Sequence, residues 1–170
     1  VDLNIINNGH TIQVNSDGTS KALLGGKEYK LLQFHFHSSS EHTLDGKYFP
    51  LEAHLVHQSA DGELGVIGVM FEIGKHNSFM QKIFKFMPNH ADGKTSNSHT
   101  INANEILPND RSFYHYMGSL TTPPCTQIVQ WFVLKNSITI SQKQLDKFNS
   151  LYKGNFRPIQ SLANRKILSK

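Results

Sequence analysis

Residues 30–37 read "KLLQFHFH", and residues 50–58 read "PLEAHLVHQ". Both are short apolar runs interrupted by histidine. A β-strand sends alternate side chains to opposite faces. In the first run Leu32, Phe34 and Phe36 then share one face, and Gln33, His35 and His37 share the other. The first face suits a core. The second is a polar row ending in two imidazoles, close enough to hold one ion. Taken alone, a His-x-His pair is as readily two exposed polar residues on a strand.

The second run supplies what the first lacks. Glu52, His54 and Val56 share a face, while Leu51, Ala53, Leu55 and His57 share the other. The connection "SSSEHTLDGKYF" carries Asp45-Gly46, a strong turn signal, so the two strands can pair antiparallel. His54 then joins His35 and His37. Three nitrogen ligands and one open position describe a catalytic zinc site rather than a closed structural one. Metal-bound histidines usually donate their second ring N–H to an acceptor. Gln33 and Glu52 each lie two residues before a ligand on the same face, placed for that task. His42, His57, His76, His90, His99 and His115 lack such company and read as surface or core histidines.

Further strand-like runs are Leu3–Ile6, Thr11–Val14, Tyr29–His37, Leu51–Gln58, Leu64–Ile73 and Gln127–Leu134. Asp-Gly turns recur at Asp17, Asp61 and Asp92. Two stretches have helical spacing: "NSFMQKIFKFMP" (77–88), and "SQKQLDKFNSLYKG" (141–154), where Ser141 and Gln144 have capping-box spacing. The expected fold is mainly β (α+β), a single domain around a large, mostly antiparallel central sheet with short peripheral helices.

Composition sets outer bounds. Hydrophobic residues make up 38% and charged residues 18%, which suits a folded chain and not a disordered one. No apolar run approaches the ~18 residues of a membrane span. The net charge of +4 is scattered and no nucleic-acid motif accompanies it, so no nucleic-acid partner is expected. The single cysteine, Cys125, excludes a disulfide within the chain.

Residues 118–125, "GSLTTPPC", form a stiff extended loop. A threonine hydroxyl there could hold the proton of a zinc hydroxide if its own proton went to a carboxylate. Glu41 is the available one. "NNGHTIQV", "LLQFHFHSSSEH", "LEAHLVHQ", "GSLTTPPCTQIVQWFVL" and "NFRPIQSLANR" together resemble α-class carbonic anhydrases in order and approximate spacing, over nearly the whole chain. The short "SSSEH" loop resembles the bacterial branch.

That resemblance implies a zinc enzyme (cofactor Zn2+) interconverting carbon dioxide and bicarbonate through a zinc-bound hydroxide, with weak esterase activity as a side reaction. It implies His35, His37 and His54 as ligands, with Gln33, Glu52 and the Asn155 backbone carbonyl behind them. It makes Thr121 the hydroxyl gatekeeper, Glu41 its carboxylate and Thr122 a substrate-side threonine. Val56, Val66, Leu120 and Trp131 become the wall that receives carbon dioxide, and His10 the proton shuttle. Sulfonamide and anion inhibitors, a periplasmic or secreted location and a homodimer are further expectations. Residues 1–170 would form one α-carbonic anhydrase domain lacking the family's usual N-terminal segment. That segment often carries a cysteine paired with the position of Cys125.

Two other readings compete. A cupin-type metal oxygenase also uses His-x-His, a glutamate and a later histidine, here His35, His37, Glu41 and His54. Tyr29 and Tyr48 stand where its glycines belong. A non-catalytic carbonic-anhydrase-related module would keep the fold but lose zinc ligands.

Overall fold

The computed structural model describes residues 2–170. Its strands are β1 (Asp2–Asn7), β2 (Ile12–Asn15), β3 (Lys21–Leu24), β4 (Lys27–His37), β5 (Leu51–Ser59), β6 (Leu64–Ile73), β7 (Lys94–Thr100), β8 (Phe113–Gly118), β9 (Val129–Leu134), β10 (Ile138–Ile140) and β11 (Leu168–Ser169). Two helices, α1 (Ser78–Phe86) and α2 (Gln142–Asn149), interrupt the series. The strands form one sheet in the order β11-β8-β9-β6-β5-β4-β2-β1-β7, with β3 on β4 and β10 on β6. Pairing is antiparallel except where β6 meets β9 and β10. The expected mainly β architecture is present.

Register delivers the site. In the β4–β5 pair His35 lies opposite His54, and His37 opposite Glu52. The link between them turns at Asp45-Gly46, both with positive φ, which glycine and aspartate tolerate. Next, β5 pairs Val56 with Val66 of β6, and β6 pairs Val66 with Trp131 of β9. Four strands therefore line up imidazoles and apolar side chains on one face.

The opposite face is the main core. Phe34 and Phe36 are fully buried there, against Phe79 of α1 (ring centroids 5.9 Å from Phe34) and Phe148 of α2 (6.2 Å from Phe36). Both helices start as the sequence suggests. Asn77 caps α1, and Ser141 with Gln144 forms a reciprocal capping box on α2. Helix α2 stops at Asn149, five residues short of Gly154, because the following chain turns to dock Asn155 beneath His37.

One face assignment is corrected. Leu32 is 41% exposed, and Leu31 is buried in its place. The β4–β5 register shifts between Leu31 and Gln33, so an extra residue bulges at Leu32. Upstream of the bulge Leu31 and Tyr29 face the core. Downstream Phe34 and Phe36 do, leaving His35 and His37 on the site face. The sequence runs also omit β3, β7, β8, β10 and β11. Strand β7, "KTSNSHT", is a polar edge strand with no apolar alternation to betray it.

Candidate metal centre

A cavity of about 1020 Å³ opens over the site face of the sheet. Its floor holds His35, His37 and His54, and each ring is oriented by a hydrogen bond from one nitrogen. His35 Nδ1 meets Gln33 Oε1 at 2.8 Å. His37 Nδ1 donates to the Asn155 carbonyl at 2.8 Å. His54 Nε2 donates to Glu52 Oε1 at 2.9 Å. Among the described residues the second nitrogens, His35 Nε2, His37 Nε2 and His54 Nδ1, make no hydrogen bond, though His54 Nδ1 lies 3.8 Å from Glu41 Oε2. One ligand atom from each of the three histidines lies within 4.8 Å of the others. His37 Nε2 is buried with no partner at all, which an apolar-core or surface histidine would not tolerate.

Burial favours the neutral, metal-ready form of His35 and His37. Burial, followed by repulsion from the neighbouring imidazoles, holds His35 well below the ordinary histidine pKa. Burial and His54 likewise bring His37 down to about 4. Burial also opposes charge on His54, but the Glu52 carboxylate outweighs it and raises that pKa. Glu52 is fully buried, yet His42 and His54 overcome the burial cost and hold it well below the carboxylate range.

Glu52 is the anchor of this layer. Besides His54, it accepts from His42 Nδ1 at 2.7 Å and from the backbone N–H groups of Glu41 and His42 at 2.8 and 3.0 Å. His42 Nε2 in turn accepts from the Tyr116 hydroxyl at 2.6 Å. His42, read from sequence as a surface or core histidine without company, is therefore a partner of Glu52, and Tyr116 was missed altogether. A second cluster of metal-capable groups, His42, Glu52 and His54, is this hydrogen-bonded array. Gly68 lies opposite His54, and a Cβ there would sit 2.9 Å from Glu52 Oε1. The glycine makes room for the carboxylate, a signal visible in sequence only as an apolar strand with an unexplained glycine.

The remaining expected residues surround the floor. Val56, Val66, Leu120, Thr121, Thr122 and Trp131 line the cavity, with Val66 and Trp131 buried. His10 is exposed on the cavity lining, and its carbonyl accepts from Asn155 Nδ2 at 2.9 Å. Asn155 Oδ1 accepts from the Ser38 N–H at 2.8 Å, so one asparagine ties His10, β4 and His37 together. Glu41 is buried. Its Oε1 accepts from the Arg157 backbone N–H at 2.7 Å, a contact with no sequence signal, and its Oε2 has no hydrogen-bond partner. Thr121 and Glu41 share the cavity without a hydrogen bond to each other. Glu41 belongs to neither metal-capable group among the described residues, against the cupin arrangement.

Three imidazoles that could hold one metal ion, beside an apolar wall on the face of one large sheet, suit metal-assisted hydration or hydrolysis. Residues 1–170 match the family model described as eukaryotic-type carbonic anhydrase, and the chain belongs to that family. The carbonic anhydrase of Pectobacterium atrosepticum is 42% identical over 165 residues, covering 96% of this chain and 68% of the relative. That of Nostoc sp. is 41% identical over 167 residues, covering 98% and 63%. The α-carbonic anhydrase of Thermovibrio ammonificans, solved with the inhibitor sulfanilamide, superposes with a TM-score of 0.94 at 42% identity, covering 98% of this chain and 74% of that one. The chain thus spans about two thirds of the length of these curated relatives. Its reaction is the reversible hydration of carbon dioxide to bicarbonate and a proton.

Proposed function

We propose that this hydration uses one zinc ion held by His35 Nε2, His37 Nε2 and His54 Nδ1. The observation that carries the assignment is the pattern of ring nitrogens. Each imidazole spends one nitrogen on an acceptor and leaves the other for a common centre. Three neutral nitrogen donors fit Zn2+ better than harder ions that prefer oxygen. When bound, zinc supplies the Lewis acidity that makes a water nucleophilic near neutral pH.

The chain's own residues do the rest. Val56, Val66, Leu120 and Trp131 offer an uncharged substrate an apolar wall beside the metal. Thr121 positions the attacking water by accepting a hydrogen bond from it, and donates its own hydroxyl hydrogen bond to Glu41. Support for that pairing is the buried Glu41 Oε2, which has no hydrogen-bond partner and lies 3.8 Å from His54 Nδ1. Thr122 faces the substrate side. His10, exposed on the cavity lining, takes the product proton to solvent, a role for which imidazole is suited as a proton shuttle. An aryl sulfonamide is expected to bind at the same centre. The periplasmic or secreted location and the bacterial affiliation rest on the family resemblance alone. No helix among the described residues is long and apolar enough to cross a membrane.

The test is zinc affinity by chelator competition for the wild type and for His54→Ala. The variant is expected to lose at least about 100-fold, more than the 10- to 100-fold typical of losing a supporting partner. Wild-type affinity in that variant would refute the ligand set.

A further inference from the structure

His10 lies in the short connection, residues 8–11, between β1 and β2. Asn8 organises that connection from within. Its Oδ1 accepts from the His10 and Thr11 N–H groups at 3.0 and 2.9 Å, and its own N–H donates to the Thr11 carbonyl at 3.2 Å. These bonds fix the shape of the turn. They do not fix where it stands relative to the metal centre.

The segment after α2 supplies that placement at two points. The Tyr152 hydroxyl donates to Asn7 Oδ1, and Asn155 Nδ2 donates to the His10 carbonyl at 2.9 Å. Both bonds join residues 145 positions apart, so the two segments run side by side in step. Asn155 is bonded to β4 at the same time. Its Nδ2 reaches the Phe36 carbonyl at 3.0 Å, so both amide hydrogens are spent, one on each segment. Its Oδ1 accepts from the Ser38 N–H at 2.8 Å, and its backbone N–H donates to the Ser38 carbonyl at 3.0 Å. Phe36 and Ser38 flank His37. One amide side chain therefore bridges the backbone of His10 to the backbone on both sides of His37.

Proton transfer depends steeply on geometry, and a misplacement of about 1 Å can cost ~10²-fold. An imidazole on an exposed turn holds its offset only if the turn is held. We propose that Tyr152 and Asn155 are positioning residues that clamp the His10 turn at a fixed offset from His37, and so set how fast His10 exports protons. The proposal rests on the reading of His10 as the proton carrier. Neither clamp residue handles the proton; both act through the backbone that carries His10.

The test compares Tyr152→Phe, Asn155→Ala, His10→Ala and the double variant His10→Ala/Asn155→Ala with the wild type, all as the zinc-loaded 170-residue chain. Tyr152→Phe removes only the hydroxyl and keeps the ring against Phe148 of α2, 6.2 Å between centroids. Each clamp variant is expected to lower kcat for hydration in weak buffer at least about threefold, with a smaller fall in kcat/KM, and imidazole buffer is expected to restore kcat. The double variant is expected to have the same kcat as His10→Ala, because the clamp acts through that residue. In the metal-free chain, amide hydrogen exchange at His10 and Thr11 is expected to quicken at least about tenfold in Asn155→Ala. Unchanged kcat in either clamp variant, while His10→Ala lowers it, would overturn the clamp and leave the shuttle reading standing. Equal falls in kcat and kcat/KM, losses that add in the double variant, or unchanged exchange at His10 would also overturn it. No effect of His10→Ala would overturn the shuttle reading, and the clamp with it.

Discussion

Glu52→Gln changes one atom and should cost more than most core truncations. Glu52 has no exposed surface, and its two oxygens accept four hydrogen bonds. Two reach Oε1 from imidazoles, and two reach Oε2 from backbone N–H groups. Glutamine keeps one acceptor and puts an NH2 on the other side. Whichever way the amide turns, two donors face a donor and two charge-assisted bonds are lost. At about 1.5–3 kcal/mol each, the loss is ~3–6 kcal/mol. Urea unfolding of the metal-free protein at pH 7.5 should show it, and zinc affinity should fall by about 10- to 100-fold as His54 loses its orienting acceptor. The pH dependence has a definite sign. A carboxylate with a lowered pKa stabilises the fold above its unfolded pKa of ~4.3 and loses that contribution as pH falls through the folded value. Wild type and variant should therefore differ undiminished at pH 6 and converge only in strong acid. A stability change below about 1 kcal/mol with unchanged zinc affinity would refute the claim that Glu52 anchors the site.

Thr121→Ala should retain zinc but lose hydration kcat/KM by about 10²-fold, the scale of one positioned hydrogen bond in a transition state; zinc loss would instead make it structural. His10→Ala should keep kcat/KM yet lower kcat in weak buffer by at least about tenfold, with imidazole buffers restoring it, because direct release from a group of pKa ~7 is capped near ~10³ s⁻¹ by diffusion. Without metal, the folded state resists protonating His37 until pH about 4, while the unfolded chain takes that proton near 6.5. Stability of the metal-free protein should thus fall between pH 6.5 and 4 by ~3 kcal/mol from this group, and less in His37→Gln, as read from urea midpoints.

The clustering of the three histidines proposed as ligands was legible because strand alternation is local. His35, His37 and His54, and the acceptors Gln33 and Glu52, share faces that two-residue periodicity announces. Residues set by long-range contacts were harder to see. Arg157 reaches Glu41 through a backbone N–H, which no side-chain pattern encodes. Tyr116 joins His42 across 74 positions of sequence. The bulge at Leu32 escaped a strict alternation count, since one extra residue moves the upstream half of β4 to the other parity. Polar β7 and short β3 and β10 pair through tertiary context, not through propensity.

The central claim is that three imidazoles hold one zinc ion on which carbon dioxide hydration depends. Titrating zinc into the metal-free 170-residue chain while following carbon dioxide hydration by stopped flow tests it most directly. Activity should be absent without metal, rise linearly with added zinc and stop rising at one equivalent per chain. Hydration that is independent of zinc, or absent from a folded chain holding one zinc ion, would contradict it.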